Sequence, residues 1–234
     1  RESTEGLLFT QGKGEGEENE ARETLRITRN ISEKLFNFAF KLAEARKTLN
    51  QGKGDVICVD KANMFRAFAF FREIFEKEAK NHSDITASSA YVDLMALWMV
   101  QKPWELDVLV TENMFGDILS ELGAGLMGGL GVAPSADIGL DNAVFQPCHG
   151  TAPDIEGQDL ANPIAMISSA AMMLEWLGLK FDNHYLCEDS VKLQKSIDAI
   201  MHDKKNLTQD LGGSATTTQT VAAIQHSLTS QIKP

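Results

Sequence analysis

Between Ile31 and Leu49 apolar residues recur at intervals of three and four. Leu35, Phe38, Leu42 and Ala45 mark the helical period behind Ser32, a residue suited to an N-cap region, and together they predict an amphipathic helix. Gly52 and Gly54 break the chain before Asp55-Val-Ile-Cys-Val-Asp60. That short, nearly continuous apolar run is typical of a parallel strand covered on both faces. The alternation then repeats: a helix from about Asn63 to Lys80, a weak strand near Ile85 to Ser89, and a helix from Tyr91 to Val100. Behind Pro103 follow a strand from Leu106 to Thr111 and a helical run from Met114 to Leu122. Residues 123–139, with six glycines and Pro134, are rich in breakers and mark the best candidate for a domain junction. Beyond them lie a short strand at Ala143 to Phe145, a polar loop, and a helix opened by Asn162 and Pro163. Helices near Glu188 to His202 and Thr217 to Leu228 close the chain. Strands alternating with helices predict an α/β protein with parallel pairing. Residues 10–23, in which Gly12, Gly14 and Gly16 alternate with charged residues, read as an arm or exposed loop, and no internal repeat is present.

Composition narrows the function classes. The 234 residues are 43% hydrophobic and 24% charged, enough apolar material for one large domain or two small ones. The formal net charge of -11, from 22 Lys+Arg against 33 Asp+Glu, argues against partners held by their phosphates, so neither nucleic acid nor an anionic membrane surface is expected. The longest apolar runs, such as Pro163 to Leu174, are interrupted by Ser168 and Ser169 and stop short of the ~20 residues a membrane span needs. Cys58, Cys148 and Cys187 form neither a disulfide framework nor a CxxC pair, so a reducing, cytoplasmic compartment is expected. The chain opens Arg-Glu-Ser-Thr-Glu without Met or a signal segment and reads as starting in mid-fold.

Several residues could carry chemistry. Asp117 and Glu121 stand at i and i+4, on one helix face just past the strand ending at Thr111, where two hard carboxylates suit Mg²⁺ or Mn²⁺. A solvated acidic face is the bland alternative. Asp93, between Val92 and Leu94 at a helix start, is either a third carboxylate for the same ion or a cap. Lys61 directly follows a buried-type strand, where partial burial would suit a general base. Cys148 and His149 are adjacent in sequence, which disfavours a nucleophilic pair. Gly123, Gly125 and Gly128 satisfy G-x-G-x-x-G formally, but they end a helix instead of joining a strand to one, so the Rossmann reading fails. P-loop, HExxH and GxSxG motifs do not occur.

In order along the chain, these segments resemble the isocitrate/isopropylmalate dehydrogenase family of metal-dependent β-decarboxylating dehydrogenases. The resemblance rests on Arg1-Glu-Ser-Thr-Glu-Gly6, Ile27-Thr-Arg29, Val59-Asp-Lys-Ala-Asn63, Tyr91-Val-Asp93, Asn113-Met-Phe-Gly-Asp-Ile-Leu-Ser120, Ala133-Pro-Ser-Ala136, His149-Gly-Thr-Ala-Pro-Asp154, Ala161-Asn-Pro163, Ser169-Ala-Ala-Met-Met-Leu174 and Leu211-Gly-Gly-Ser214. It implies a two-domain α/β fold with a mixed, largely parallel sheet, lacking its N-terminal part. Residues 1–127 would be a small dimerising domain with its Gly-rich arm at 10–23, and residues 128–234 the C-terminal part of a larger cofactor domain. The implied reaction is NAD- and Mg²⁺- or Mn²⁺-dependent oxidation, with decarboxylation, of a 2-hydroxy dicarboxylic acid such as isopropylmalate, isocitrate or tartrate.

By resemblance, Asp117, Asp93 of the second subunit of a homodimer, and Glu121 hold the metal. Lys61, also from the second subunit, removes the hydroxyl proton, and Arg1 clamps a substrate carboxylate. His149, Gly150, Thr151, Ala152 and Asp154 wrap the adenosine, Asn162 contacts adenine and Asn63 lies near the nicotinamide. A carboxylate at 154 accepts from free ribose hydroxyls and repels a 2′-phosphate, so NAD is expected over NADP.

Three positions depart from the family pattern. Leu8 stands where a tyrosine acid is usual, Gln146 replaces a glutamate, and Glu121 replaces an aspartate. These departures raise a competing reading, a weakly active or inactive member serving as a regulatory or structural subunit. Retention of Lys61, Asp93, Asp117 and Asp154 opposes it.

Overall fold

The computed structural model describes residues 1–232, which form two compact units divided between Gly123 and Ala124.

In the first unit, β3 (Asp55–Asp60) is the centre of a three-stranded parallel sheet, flanked by β4 (Thr86–Tyr91) and β5 (Val108–Thr111). Parallel neighbours need crossovers, supplied by α2 (Arg66–Ala79) between β3 and β4 and by α3 (Val92–Gln101) between β4 and β5. Successive side chains of β3 point to opposite faces. Val56 and Cys58 join Phe36 and Phe40 of α1 (Arg29–Thr48) and Phe71 and Phe75 of α2, while Ile57 and Val59 join Met95 and Met99 of α3 and Leu119 of α4 (Asn113–Met127). Ring centroids of Phe36 and Phe71 lie 4.6 Å apart, within the range of favourable aromatic pairs.

Two details of α1 differ from the sequence reading. Its core face is Phe36, Ala39, Phe40 and Ala43, whereas Phe38 and Leu42 are exposed and Leu35 is only partly buried. The apolar arc of the helix is wide enough to hold two overlapping stripes, and the aromatic one wins by packing on α2. Ser32 lies inside the first turn, donating its hydroxyl to the Thr28 carbonyl; the extended residue preceding the helix is Thr28. The segment read as an arm or exposed loop contains an ordered antiparallel ribbon, β1 (Glu15–Glu17) with β2 (Glu20–Arg22), exposed throughout.

The second unit contains an antiparallel pair, β6 (Pro134–Ile138) with β7 (Ala143–Pro147), covered by α5 (Ile164–Lys180), which packs in turn against α6 (His184–Ile200); α7 (Thr217–Ile232) packs on α6. Val132, Ile164, Ile197, Ile200, Leu207 and Ile224 form its core. Here the parallel-pairing expectation is corrected: β6 and β7 are joined by a short turn closed by Gly139 N–H donating to the Asn142 carbonyl, which permits only antiparallel pairing. β6 falls inside the stretch read as breaker-rich, and α4 runs on through Gly123 and Gly125 to Met127. Among the described residues no helix is long and apolar enough to cross a membrane.

Candidate functional site

Lys61, Asn63, Asp93, Asp117 and Glu121 follow the C-terminal ends of β3, β4 and β5, where open α/β sheets place their ligand-binding residues. Asp60 closes β3 with no exposed surface. Its two oxygens accept from Arg72 Nε and an Arg72 terminal nitrogen, both at 2.7 Å, and one also accepts from the Ala62 amide at 2.8 Å. This bidentate pair fixes the turn on which Lys61 and the exposed Asn63 stand. Lys61 Nζ reaches Asp93 Oδ1 at 2.5 Å, and that bond holds the exposed Asp93 carboxyl below its ordinary range, helped by the Asp93 backbone amide. Arg72 and Lys61 also approach the same Tyr91 ring, at 5.1 and 5.8 Å from its centroid. Beneath them the Cys58 thiol is pushed well up, first by burial and then by the Asp60 charge, so it stays protonated and unreactive.

At the end of β5, Glu112 is only 2% exposed. It accepts from the Phe115 amide at 2.7 Å and the Met114 amide at 3.1 Å, capping α4 from within the protein. Burial raises its carboxyl above the usual range against the pull of those two amides, and the Glu2 charge adds to the rise. Glu2 and Glu5 are buried nearby: Glu2 accepts from the Glu5 amide at 2.7 Å and donates its own amide to the Thr111 carbonyl at 3.3 Å, while Glu5 accepts from the Thr28 amide and hydroxyl, both at 2.7 Å. Asn113 Nδ2 donates to the Glu5 carbonyl at 3.2 Å. The chain's first residues are thereby fastened to the start of α4, and Arg1 forms an ion pair with Asp117. Glu121 stands one turn further on, exposed on the same helix face.

Asp117 and Glu121 are therefore presented together, and Lys61 and Asp93 are presented together. Among the described residues no three His, Cys, Asp or Glu side chains converge on one metal position. Leu8, in a 3₁₀ turn spanning Leu7–Phe9, is exposed and aliphatic, and Arg26 covers the neighbouring Phe9 ring at 3.5 Å.

In the second unit the loop after β7 holds His149, whose Nδ1 lies 2.8 Å from the Gly150 carbonyl, then the exposed Gly150, Thr151 and Ala152. Ala152 is left-handed, at φ 45° and ψ 61°, a conformation that L side chains rarely take. Asp154 is exposed, and its backbone carbonyl accepts from Gln158 Nε2 at 2.9 Å. A shallow, open cavity of about 220 Å³ lies against the loop, lined by Thr151, Ala152, Ile155, Glu156, Leu160 and Thr217 among others. The returning limb is strapped to the start of α7: Asp159 accepts from the Thr218 amide and hydroxyl at 3.0 and 2.8 Å, and its carboxyl is held low, first by the Thr216 hydroxyl and then by Thr218. Asn162 Oδ1 accepts from the Ile164 amide at 3.0 Å, opening α5 as the Asn-Pro signal predicts. Gln146 is exposed in β7, with its carbonyl bound by the buried Ser169 hydroxyl.

Sequence reasoning missed Asp60, Arg72, Glu112 and Asp159. The first and third flank motif residues directly, but burial, which gives them their roles, leaves no mark in one sequence.

Comparison with known proteins places these features in a family. A family model described as isocitrate/isopropylmalate dehydrogenase matches residues 1–226. The chain is 42% identical over 218 residues to a 3-isopropylmalate/3-methylmalate dehydrogenase of Methanocaldococcus jannaschii, covering 93% of this chain and 62% of that protein. It is 44% identical over 191 residues to the mitochondrial isocitrate dehydrogenase [NAD] subunit alpha of Sus scrofa, covering 81% of this chain and 49% of that one. The crystal structure of isocitrate dehydrogenase from Methylococcus capsulatus superposes with a TM-score of 0.83 at 35% identity, over 96% of this chain and 64% of that one. The chain thus spans between one half and two thirds of these relatives. With a matching family model over nearly its whole length, it belongs to the isocitrate/isopropylmalate dehydrogenase family.

Proposed function

We propose that the protein is an NAD-dependent, Mg²⁺- or Mn²⁺-dependent dehydrogenase that oxidises, and then decarboxylates, a 2-hydroxy dicarboxylic acid of the isopropylmalate, isocitrate or tartrate type. The observation that carries this reading is the strand-end constellation: two carboxylates on one face of α4 beside a guanidinium, and a carboxylate on α3 bonded to a lysine. The donor set is all oxygen, as a hard divalent cation requires. Asp117 and Glu121 of one subunit with Asp93 of another would hold the ion; one chain presents only two of the three together. When bound, the metal supplies Lewis-acid stabilisation of negative charge on substrate oxygens and the nicotinamide accepts hydride.

The chain's own residues do the rest. Lys61 accepts the proton of the substrate hydroxyl, and Arg1 orients a substrate carboxylate through its planar fork. Asn63 lies near the nicotinamide. His149, Gly150, Thr151 and Ala152 form the adenosine wall, and Asp154 accepts from the ribose hydroxyls while repelling a 2′-phosphate. Leu8 has no proton to give, so protonation of the enol left after carbon dioxide departs falls to water, and formation of the keto product is slow beside hydride transfer.

The homodimer is supported by α3, in which Leu94 to Val100 is an unbroken apolar run. Met95 and Met99 face the core, while Leu97 and Val100 remain 49% and 58% exposed, with Trp104 and Ile118 also open. A helix of this kind is covered on both sides. In this reading residues 1–127, with the ribbon at 10–23, form the dimerising domain and residues 128–234 belong to the cofactor domain. The three cysteines, which form no disulfide among the described residues, accord with a cytoplasmic, reducing compartment. Leu8 and Gln146 favour a second reading, a weakly active or inactive regulatory subunit.

Titration calorimetry of Mn²⁺ and NAD into the intact protein separates the two. Binding of both, with NADH formed from a 2-hydroxy dicarboxylate, supports the enzyme; nucleotide binding without metal binding supports the regulatory subunit. Keto product formed in step with NADH during the first turnover overturns the role given to Leu8.

A further inference from the structure

The Asn162 side chain is anchored at both of its polar atoms, and one anchor is a residue with no assigned role. Its Nδ2 donates to Asp210 Oδ2 at 2.9 Å. The other Asp210 oxygen accepts from the hydroxyl of Thr208, which has no exposed surface, so the carboxylate is tied to the unit's interior. Thr208 is held in turn by the short helical turn Gln209–Leu211, which it opens, accepting from the Leu211 amide at 3.1 Å and the Gly213 amide at 3.0 Å. The fit is close: a Cβ on Gly131 would stand 2.6 Å from Asp210 Oδ2 and 3.0 Å from Asn162 Cβ, so only glycine lets the 3₁₀ turn Leu130–Val132 pass the pair undisturbed.

A carboxamide offers two N–H donors and two acceptor lone pairs. In Asn162 one donor goes to Asp210 and one lone pair to the Ile164 amide. One N–H and one lone pair remain for a ligand, both in the amide plane. Flipping the amide would set its oxygen against the Asp210 carboxylate and its NH₂ against the Ile164 amide, two repulsive contacts, so the order of donor and acceptor is locked. A donor and an acceptor in one plane match the adenine edge, where a ring nitrogen accepts beside the donating N6 amine. A 6-oxopurine replaces that amine with an acceptor and loses the match.

We propose that Asp210 is a positioning residue that sets the cofactor's base specificity: by fixing the Asn162 amide it selects a 6-aminopurine dinucleotide over a 6-oxopurine one. The inference rests on the placement of the adenosine at the 149–162 loop. Asp210 does not touch the cofactor; it acts through Asn162.

The test is titration calorimetry of the intact protein with NAD and with nicotinamide hypoxanthine dinucleotide, for wild type, Asp210→Asn, Asp210→Ala and Gly131→Ala. Wild type is expected to prefer NAD by about tenfold, on the order of one lost base-edge hydrogen bond. Asp210→Ala and Asp210→Asn should bring the two dinucleotides to within about twofold while Mn²⁺ affinity, read in the same titrations, stays unchanged. Gly131→Ala, which displaces Asp210 without removing it, should fall between. A general loss of structure would weaken both dinucleotides together and leave their ratio intact; that result, or a wild type without base preference, overturns the proposal. Wild type binding neither dinucleotide overturns the cofactor reading and this inference with it.

Discussion

The two functional regions are braced by different physics. At the strand ends of the first unit, the residues that would handle metal and proton are held by buried charge: Asp60 on Arg72, Glu112 on the first amides of α4, and Glu5 on Thr28. In the second unit the loop from His149 to Asn162 is largely exposed, carries the left-handed Ala152 and Asp159, and is held by caps and hydroxyls at its two ends. Buried charges have few alternative partners and restrict motion; exposed caps trade readily with water. The difference suits the proposed division of labour, a rigid edge for proton and hydride geometry and an open loop that a dinucleotide enters and leaves.

Removing Asp60 should give the largest effect. Asp60→Ala strands the Arg72 guanidinium, which is 23% exposed, and should lower unfolding stability by about 3–5 kcal/mol in urea titration. Asp60→Ala combined with Arg72→Met should recover much of that loss, since it leaves no unpaired charge. A single variant as stable as wild type would show that the edge is not held by this pair.

The acid and base limbs of the stability curve report carboxylates at opposite ends of β5, Asp107 before its first residue and Glu112 after its last. Burial opposes ionisation of Asp107, but the Arg46 guanidinium and the Gly54 and Asp55 amides outweigh it and hold the carboxyl below its ordinary value of 3.8. Its contribution is therefore present above that value and lost as pH falls through the lowered one. Glu112, raised above its ordinary 4.5, works the other way: its folded form prefers the proton, so stability falls as pH rises from that value through the raised one. Asp107→Asn should flatten the acid limb and cost roughly 1.5–3 kcal/mol at neutral pH, as for a hydrogen bond to a charged group. Glu112→Gln should remove the fall above the ordinary carboxyl value, at the expense of the amide cap. Unaltered limbs in either variant, followed by thermal unfolding across pH, would sever that carboxylate from the bracing.

The strand-and-helix alternation of the first unit was legible because β3 and its flanking helices carry strong, distinct periods. β6 was not, since Pro134, Ser135 and Ala136 give no apolar alternation and its partner β7, not its own pattern, makes it a strand. Lys61, Asp93 and Asp117 could be proposed from their types and their places beside strands and helices, and Asp154 through the family resemblance alone. Asp60, Glu112 and Asp210 could not: a buried carboxylate is spelled like a solvated one, and only packing separates them. The facing of α1 escaped for a related reason, because a helix whose apolar arc is wide does not announce which aromatic pair meets its neighbour.

On the open side of the comparison, Asp154→Lys should reverse cofactor choice, weakening NAD and strengthening NADP so that their affinity ratio shifts by at least about tenfold, roughly 1.4 kcal/mol. The ratio, read by calorimetry or by initial rates with each cofactor, is insensitive to loss of active protein. An unchanged ratio would remove Asp154 from the ribose.

Asp159 should give the smallest effect and the finest discrimination. Its carboxylate accepts from the Thr218 amide and hydroxyl, and its carbonyl accepts from the Thr217 amide at 2.8 Å, so one residue ties the loop's return to the start of α7. Asp159→Asn keeps an acceptor and tolerates the left-handed backbone at φ 57°, whereas Asp159→Ala loses both. Alanine should therefore cost about 1 kcal/mol of stability, as for a lost cap, and asparagine a few tenths. If the loop's open state is poised by this strap, alanine should also weaken NAD binding by about threefold through a lower population of the binding-competent loop, with Mn²⁺ affinity untouched. Asparagine should restore NAD affinity. Equal losses of metal and nucleotide binding in Asp159→Ala would mean that the two regions are not braced independently, and the contrast between a rigid edge and an open loop would give way to a single cooperative site.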